Sequence, residues 1–190
     1  NANRMNYLIN ELLTFSKIEM KQMRISVRKG DIMHFLEELS HIFDIVAGER
    51  EIDFIVNLED TEEEVWFSPS KLERILYNLL SNAFKYTQPG GYVKLSAKLI
   101  KEEKGTFVQI SVKDNGRGIP KEAQEQIFES YYQVEKRDHR EGFGLGLSLT
   151  RSLIHMHKGE IRVESEINKG SDFIVTLNVS EDAYNPDERS

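Results

Sequence analysis

The stretch YVKLSAKLIKEEKGTFVQISVKDNGRGIP, residues 92–120, decides the fold. Apolar and polar residues alternate through 92–99 and again through 106–113, as in strands with one buried face, and Lys104-Gly105 supplies a turn between them. Both read as half-buried strands, the first entered through the turn residues Pro89-Gly90-Gly91. Working outward, EIDFIVNL (51–58) and EEVWF (63–67) precede a helix over 70–86, in which Ser70 and Glu73 have capping-box spacing behind Pro69. On the other side a helix over 146–157 leads into EIRVESE (160–166) and SDFIVTLNV (171–179). Strands clustered in pairs with helices between them predict an α+β protein. The expected architecture is a two-layer sandwich, one mixed sheet with helices on one face, rather than a doubly wound parallel sheet.

Upstream, Asp31 is placed to cap a helix carrying Ile32, Phe35, Leu36, Leu39, Ile42, Phe43 and Val46 and ending near Gly48. The polar stretch SVRKGD (26–31) separates it from a first segment in which Met5, Leu8, Leu12 and Phe15 follow helical spacing. That segment is expected to be one long helix whose partner helix is missing from the chain, so residues 1–28 form a helix plus linker and 29–180 the globular domain. The tail SEDAYNPDERS, 181–190 with the preceding Ser180, has no pattern and reads as a linker or disordered end. The chain has no initiator Met and begins inside a helical pattern, which suggests a fragment.

The 190 residues, 39% hydrophobic and 30% charged, suit one soluble core. A formal net charge of −7 argues against a nucleic-acid partner. There is no cysteine, so disulfides and thiolate metal sites are excluded. No apolar run has the length of a membrane span, and NANRMNYLIN lacks a signal peptide's layout, so the expected compartment is the cytoplasm.

Three stretches carry chemistry. On the helix 70–86, Arg74, Asn78, Asn82 and Lys85 form a polar stripe beside a broad apolar face. Asparagine is a mediocre helix former, and a solvated face rarely selects two, whereas carboxamide oxygens can ligate Mg²⁺ and a lysine one turn on can meet a phosphate. DNGRGIP (114–120) follows directly on a strand whose last inward residue is read as Val112, and an aspartate there can accept a hydrogen bond from an amino group such as adenine's. EGFGLGLSLT (141–150) places Gly142, Gly144 and Gly146 ahead of a helix N-terminus, a natural phosphate cradle. It lacks the Gly-Lys-Ser/Thr of a Walker loop, it has Leu147 where a dinucleotide fingerprint needs glycine, and it enters a helix rather than a second strand as a protein-kinase loop would.

Taken together, LERILYNLLSNAFKYT (72–87), DNGRGIP, IFESYYQ (127–133), EGFGLGLSLT and NKGSDFIVTL (168–177) resemble, in order and spacing, the N, G1, F, G2 and last glycine boxes of the catalytic ATP-binding domain of sensor histidine kinases. This is the Bergerat fold of the superfamily that includes the gyrase, Hsp90 and MutL ATPases. RMNYLINELLTFSKIEM (4–20) is similar to the end of the second dimerisation and phosphoacceptor helix.

The resemblance implies ATP and Mg²⁺ as ligands. Asn78 and Asn82 would hold the metal and phosphates, with Lys85 near the phosphates. Tyr86 would contact adenine, Asp114 would bind its amino group, and Gly116 and Gly118 would let the backbone approach, with Ile119 and Ser171 also lining the site. Residues from about 120 to 145 would form a lid anchored by Phe128 and Tyr132. Arg140 is the favoured lid cation for the γ-phosphate, ahead of Lys136 and Arg137. Gly142, Phe143, Gly144, Leu145, Gly146 and Leu147 would present the phosphate loop. Phe143 departs from the small polar residue or Gln frequent there, so backbone rather than side chain is expected to hold phosphate at that position. Ser68 replaces the Asp common before the N-box helix.

Asn78, Lys85 and Arg140 are the expected catalytic residues. Asn78 stands where the superfamily's hydrolases carry a glutamate base, so phosphoryl transfer to an imidazole is favoured over hydrolysis. None of His34, His41, His139, His155 and His157 has the context of an acceptor histidine, and His155 and His157 read as cations favoured at a helix end. The fragment is therefore expected to bind ATP but not to phosphorylate itself. Its partners would be its own missing phosphoacceptor domain and a response-regulator receiver domain, which the acidic tail could join in one polypeptide. The full-length protein would be a homodimer and membrane-anchored. A hydrolase of the same superfamily and a non-catalytic nucleotide-binding scaffold are the alternatives.

Overall fold

The computed structural model describes residues 23–130, 132 and 144–190; the expected first helix, like Lys136, Arg137, His139, Arg140, Gly142 and Phe143, lies outside them. The elements run β1 (Arg28–Asp31), α1 (Ile32–Ser40), α2 (Ile42–Arg50), β2 (Asp53–Leu58), β3 (Glu64–Phe67), α3 (Pro69–Tyr86), β4 (Tyr92–Glu102), β5 (Gly105–Asp114), α4 (Gly146–Met156), β6 (Glu160–Glu166) and β7 (Gly170–Asn178).

The hairpin forms as its alternation dictates, β4 against β5 antiparallel from Val93↔Asp114 to Glu102↔Gly105. It is the centre of a five-stranded sheet in the order β2-β4-β5-β7-β6, in which only the β2–β4 pair is parallel. Val93, Leu95 and Ala97 of β4, Val108, Ile110 and Val112 of β5, and Phe173, Val175 and Leu177 of β7 are buried on one face. Against that face lie the apolar stripe of α3, Leu72, Ile75, Leu76, Leu79, Leu80, Ala83 and Phe84, and Leu149 and Leu153 of α4. The expected two-layer α+β sandwich is what forms.

Five local readings are corrected. The single helix expected from Asp31 is two. Asp31 does cap it, accepting from the His34 N–H at 2.9 Å. At its other end the Ser40 hydroxyl turns back onto the Glu37 carbonyl at 2.7 Å and the helix stops. After His41 the chain restarts as α2, which runs past Gly48 to Arg50, stacks Phe43 on Phe84 at 5.6 Å and leaves Ile42 and Ile45 exposed. The capping box at Ser70 does not form, because the helix already starts at Pro69 with Ser68 as its N-cap, so Ser70 sits inside the first turn. The polar stretch 26–31 is not a plain linker. Its last four residues are strand β1, paired antiparallel with β3 from Arg28↔Phe67 to Asp31↔Glu64, where backbone hydrogen bonds rather than apolar side chains define the strand.

The tail is likewise not featureless. It makes two short 3₁₀ turns, Glu181–Ala183 and Pro186–Glu188, and buries Tyr184 with Ile25 and Val27 in a second small apolar cluster edged by Trp66. Val27 N–H donates to the Glu188 carbonyl at 2.7 Å and Ser190 N–H to the Val27 carbonyl at 2.9 Å. Arg189 lies over the Trp66 ring at 5.9 Å and pairs with Glu181 at 2.8 Å. The Tyr184 hydroxyl donates to the Asn178 carbonyl at 2.6 Å, and burial drives its pKa up. Truncating a ring packed in this way costs about 3–5 kcal/mol. Tyr184→Ala should therefore lower the urea midpoint by a corresponding amount, whereas Asp182→Ala on the exposed side of the same turn should leave it within error.

His157, expected as a helix-end cation, is a buried neutral ring. Its Nδ1–H donates to the Leu153 carbonyl at 3.0 Å, and Nε2 accepts from the Ser68 N–H at 3.2 Å. Burial pushes its pKa from 6.5 down to about 4; the Leu153 bond opposes this and nearby Lys71 adds to it. Because the folded pKa is depressed, the unfolded chain takes up the proton first. The ring's contribution is complete above pH 6.5 and is lost as pH falls towards 4, a loss of up to about 3 kcal/mol. Urea titrations at pH 7, 5.5 and 4 should show this decline, and His157→Gln should flatten it.

Candidate functional site

The site lies where the C-terminal end of β5 meets α3 and the start of α4. Asp114 is the last residue of β5 and, with the strand alternation carried one step beyond the expected Val112, it points inward and is buried. Its register neighbours on the same row are Val93 of β4 and Ser171 of β7. Burial raises its pKa; backbone N–H bonds from Gly116, at 2.8 Å, and Ser171 oppose that shift, and neighbouring Asp172 adds to it. A buried carboxylate with only two backbone donors has lone pairs left for a ligand's N–H.

The turn after Asp114 needs its glycines. Gly118 has φ +70°, and a side chain there would run into the Glu166 carbonyl of the β6–β7 hairpin; a side chain at Gly116 would run into the Tyr86 carbonyl. The loop is thus closely packed between the end of α3 and that hairpin. Tyr86 is half-buried, with Lys85 Nζ 4.9 Å and the Arg117 guanidinium 4.3 Å from its ring centre. Arg117 was not singled out by the sequence, where it reads only as the variable residue between two glycines.

On the other side, α3 and α4 touch at Asn78. Its Nδ2 donates to the Thr150 hydroxyl at 2.6 Å, which leaves Oδ1 as an acceptor, and a Cβ on Gly146 would come within 2.7 Å of that oxygen. Gly146 therefore sets how closely the helices approach. Asn82 and Lys85 continue the half-buried stripe along α3, as the spacing predicts. Thr150 was missed, although it lies one helical turn after Gly146 and so shares its face. Leu145 is buried at the N-cap of α4, Leu147 packs at the core's edge, and Gly144 has φ +70°.

The structure places both residues expected to anchor the lid. Phe128 is buried edge-on against Phe173 at 6.3 Å, and Tyr132 packs against the same core. Arg151 of α4 lies 6.0 Å from the Phe128 ring and pairs with Glu129 at 3.4 Å. Arg140, Gly142 and Phe143 fall outside the described residues, as do Lys136 and Arg137. Among the described residues no group of three or more His, Asp or Glu could hold a metal.

Residues 67–181 match the family model of the histidine kinase-, DNA gyrase B- and HSP90-like ATPases. The chain belongs to this family. Sensor histidine kinase WalK of Bacillus subtilis is 35% identical over 181 residues, covering 94% of this chain and 29% of its own length. Histidine kinase P4 of Formosa agariphila is 34% identical over 181 residues, covering 93% of this chain and 13% of its own. Among solved structures, full-length ShkA in complex with AMPPNP superposes with a TM-score of 0.82 at 26% identity, over 93% of this chain and 36% of that one. The nucleotide-free catalytic domain of ThkA gives 0.71 at 25% identity, over 84% of this chain and 100% of that one. The chain thus spans less than a third of the two kinases it matches in sequence but the whole of a solved catalytic domain. Its fold is that of the ATP-binding catalytic domain of sensor histidine kinases. No helix among the described residues is long and apolar enough to cross a membrane.

The Asn78–Thr150 bond predicts a specific loss. Thr150→Val keeps the shape but frees the carboxamide to rotate, and ATP affinity measured by calorimetry should fall about three- to tenfold, while Thr150→Ser should keep it.

Proposed function

We propose that this domain binds Mg²⁺–ATP and transfers the γ-phosphate to a histidine on a phosphoacceptor domain. The observation that carries the reading is the buried Asp114 carboxylate at the strand end, beside a glycine-built loop and facing a helix pair that offers carboxamide oxygens. Asp114 would accept from the adenine amino group, with Tyr86, Ile119 and Ser171 around the base and Gly116 and Gly118 allowing its close approach. Asn78 and Asn82 would ligate the metal through hard oxygens, and the Asn78 Oδ1 is left as an acceptor by its bond to Thr150. Bound there, Mg²⁺ would offset phosphate charge. Lys85 and the lid cation Arg140 would do the same, and the amides of Gly142, Phe143, Gly144, Leu145, Gly146 and Leu147 would cradle the phosphates at the start of α4.

An asparagine at 78 cannot take a proton from water, so the site is suited to positioning ATP for an imidazole nucleophile. Among the described histidines, His34, His41 and His155 are exposed and lie away from the strand end, and His157 is buried and occupied on both nitrogens. The acceptor would therefore come from a separate domain, entered through residues 1–28, in a homodimeric parent kinase that relays phosphate to a receiver domain. The domain would work on the cytoplasmic side, with any membrane anchor elsewhere in the parent.

Calorimetric titration with Mg²⁺–ATP tests the reading. The chain should bind, and Asp114→Ala should weaken binding at least about tenfold by removing the acceptor for the amino group. Labelled ATP should then phosphorylate a supplied phosphoacceptor domain but not the chain alone. Absence of binding would overturn the proposal, and steady hydrolysis without an acceptor would favour the hydrolase alternative.

A further inference from the structure

Ser165, on β6, has no role in the site described above, yet its side chain touches both arms of the base-binding region. Its Oγ lies 2.8 Å from the Ile119 N–H, 2.8 Å from the Gly170 carbonyl and 2.9 Å from the Ser171 hydroxyl. These contacts fix where the protons are. A serine hydroxyl has one proton and two lone pairs. The Gly170 carbonyl can only accept, so it takes the Ser165 proton. The Ile119 N–H can only donate, so it takes one lone pair. The Ser171 hydroxyl faces what remains, the second lone pair, and must donate to it.

The Ser171 proton is thereby committed to Ser165, and the Ser171 oxygen offers a ligand lone pairs alone. Its register neighbour Asp114 is a carboxylate and also offers lone pairs alone. Asp114 and Ser171 thus both present acceptors, which suits the two protons of a 6-amino group and disfavours a 6-keto oxygen. The same hydroxyl holds the Ile119 peptide from one side. Gln124 holds it from the other, donating to the Ile119 carbonyl at 3.0 Å and to the Ser165 carbonyl at 2.8 Å. The apolar side chain expected against the base is therefore fixed in place by the same residue that orients Ser171.

We propose that Ser165 is a positioning residue that sets purine specificity: it turns the Ser171 hydroxyl into an obligate acceptor beside Asp114 and so favours 6-amino over 6-keto purine nucleotides. This rests on the ATP-binding reading above. Removing the hydroxyl frees the Ser171 proton to rotate towards the ligand, where it can meet a keto oxygen.

The test compares Mg²⁺–ATP with Mg²⁺–ITP, which carries a keto oxygen in place of the 6-amino group and a proton on N1. In Ser165→Ala, ATP affinity should fall about three- to tenfold while ITP affinity holds or rises, so that the ratio of the two dissociation constants shrinks. Ser165→Thr, which restores the hydroxyl, should restore the ratio. Amide exchange at Ile119 without nucleotide should quicken in the alanine variant and recover in the threonine one. Should Ser165→Ala not fold, Ser165→Cys, a weaker donor and acceptor of similar size, carries the same comparison. Equal weakening of ATP and ITP, or an unchanged ratio in a folded variant, would overturn the proposal and leave ATP binding intact. A parent chain that bound neither nucleotide would overturn the ATP-binding reading itself.

Discussion

Two helices joined at both ends of the shorter one are the constraint on which the rest depends. At one end the His157 ring, at the C-cap of α4, accepts the N–H of Ser68 at the N-cap of α3; at the other, Asn78 of α3 meets Thr150 and Gly146 at the start of α4. The helices therefore run in opposite directions across the sheet. The start of α4, with its free N–H groups, is held against the carboxamide stripe of α3. His157 also receives the Asn178 N–H and the Tyr184 hydroxyl on its carbonyl, at 3.1 and 3.3 Å, so sheet and tail are tied to the same point.

The opposite side of the site is built on the sheet rather than on helices, and its chemistry differs accordingly. Val93, Asp114, Ser171 and Ser165 occupy one transverse row, so a carboxylate and two hydroxyls stand where the rows below hold only apolar residues such as Leu95, Val112 and Phe173. Burying a carboxylate is unfavourable, and the raised pKa of Asp114 registers it. At this strand end, next to a loop too tight for side chains, one flank of the site is sheet and the other is a pair of packed helices. On the proposed reading, base recognition and phosphate handling would be divided between two kinds of element.

What the sequence made legible, and what it did not, follows from the range of the interactions. The two strands of the hairpin, α3, α4 and the glycines of the turn could be read because burial period and backbone conformation are written into neighbouring residues, whereas the inward placement of Asp114, one step past Val112, could not. Strand β1 could not, since a short polar edge strand is specified by the partner it pairs with. The break at His41 was hidden by apolar spacing that runs on unbroken from Leu39 to Phe43. The neutral state of His157 and the roles of Thr150 and Ser165 depend on atoms from 5 to 89 residues away in sequence, and no local pattern announces them. The buried tail was obscured by its composition, because one tyrosine and a few backbone hydrogen bonds hold it against Val27.

That last contact has a kinetic meaning. The bond between Ser26 and Ser190 closes a loop of 164 residues, and the Val27–Arg189 bridge beside it is hardly shorter. Contacts of such separation repay their closure entropy only after the intervening chain is ordered. The cluster around Tyr184 should therefore be the last part to assemble, sealing the sandwich after its sheet has formed. The segment leading into β1 is thereby fixed only once the sheet that carries the site is complete.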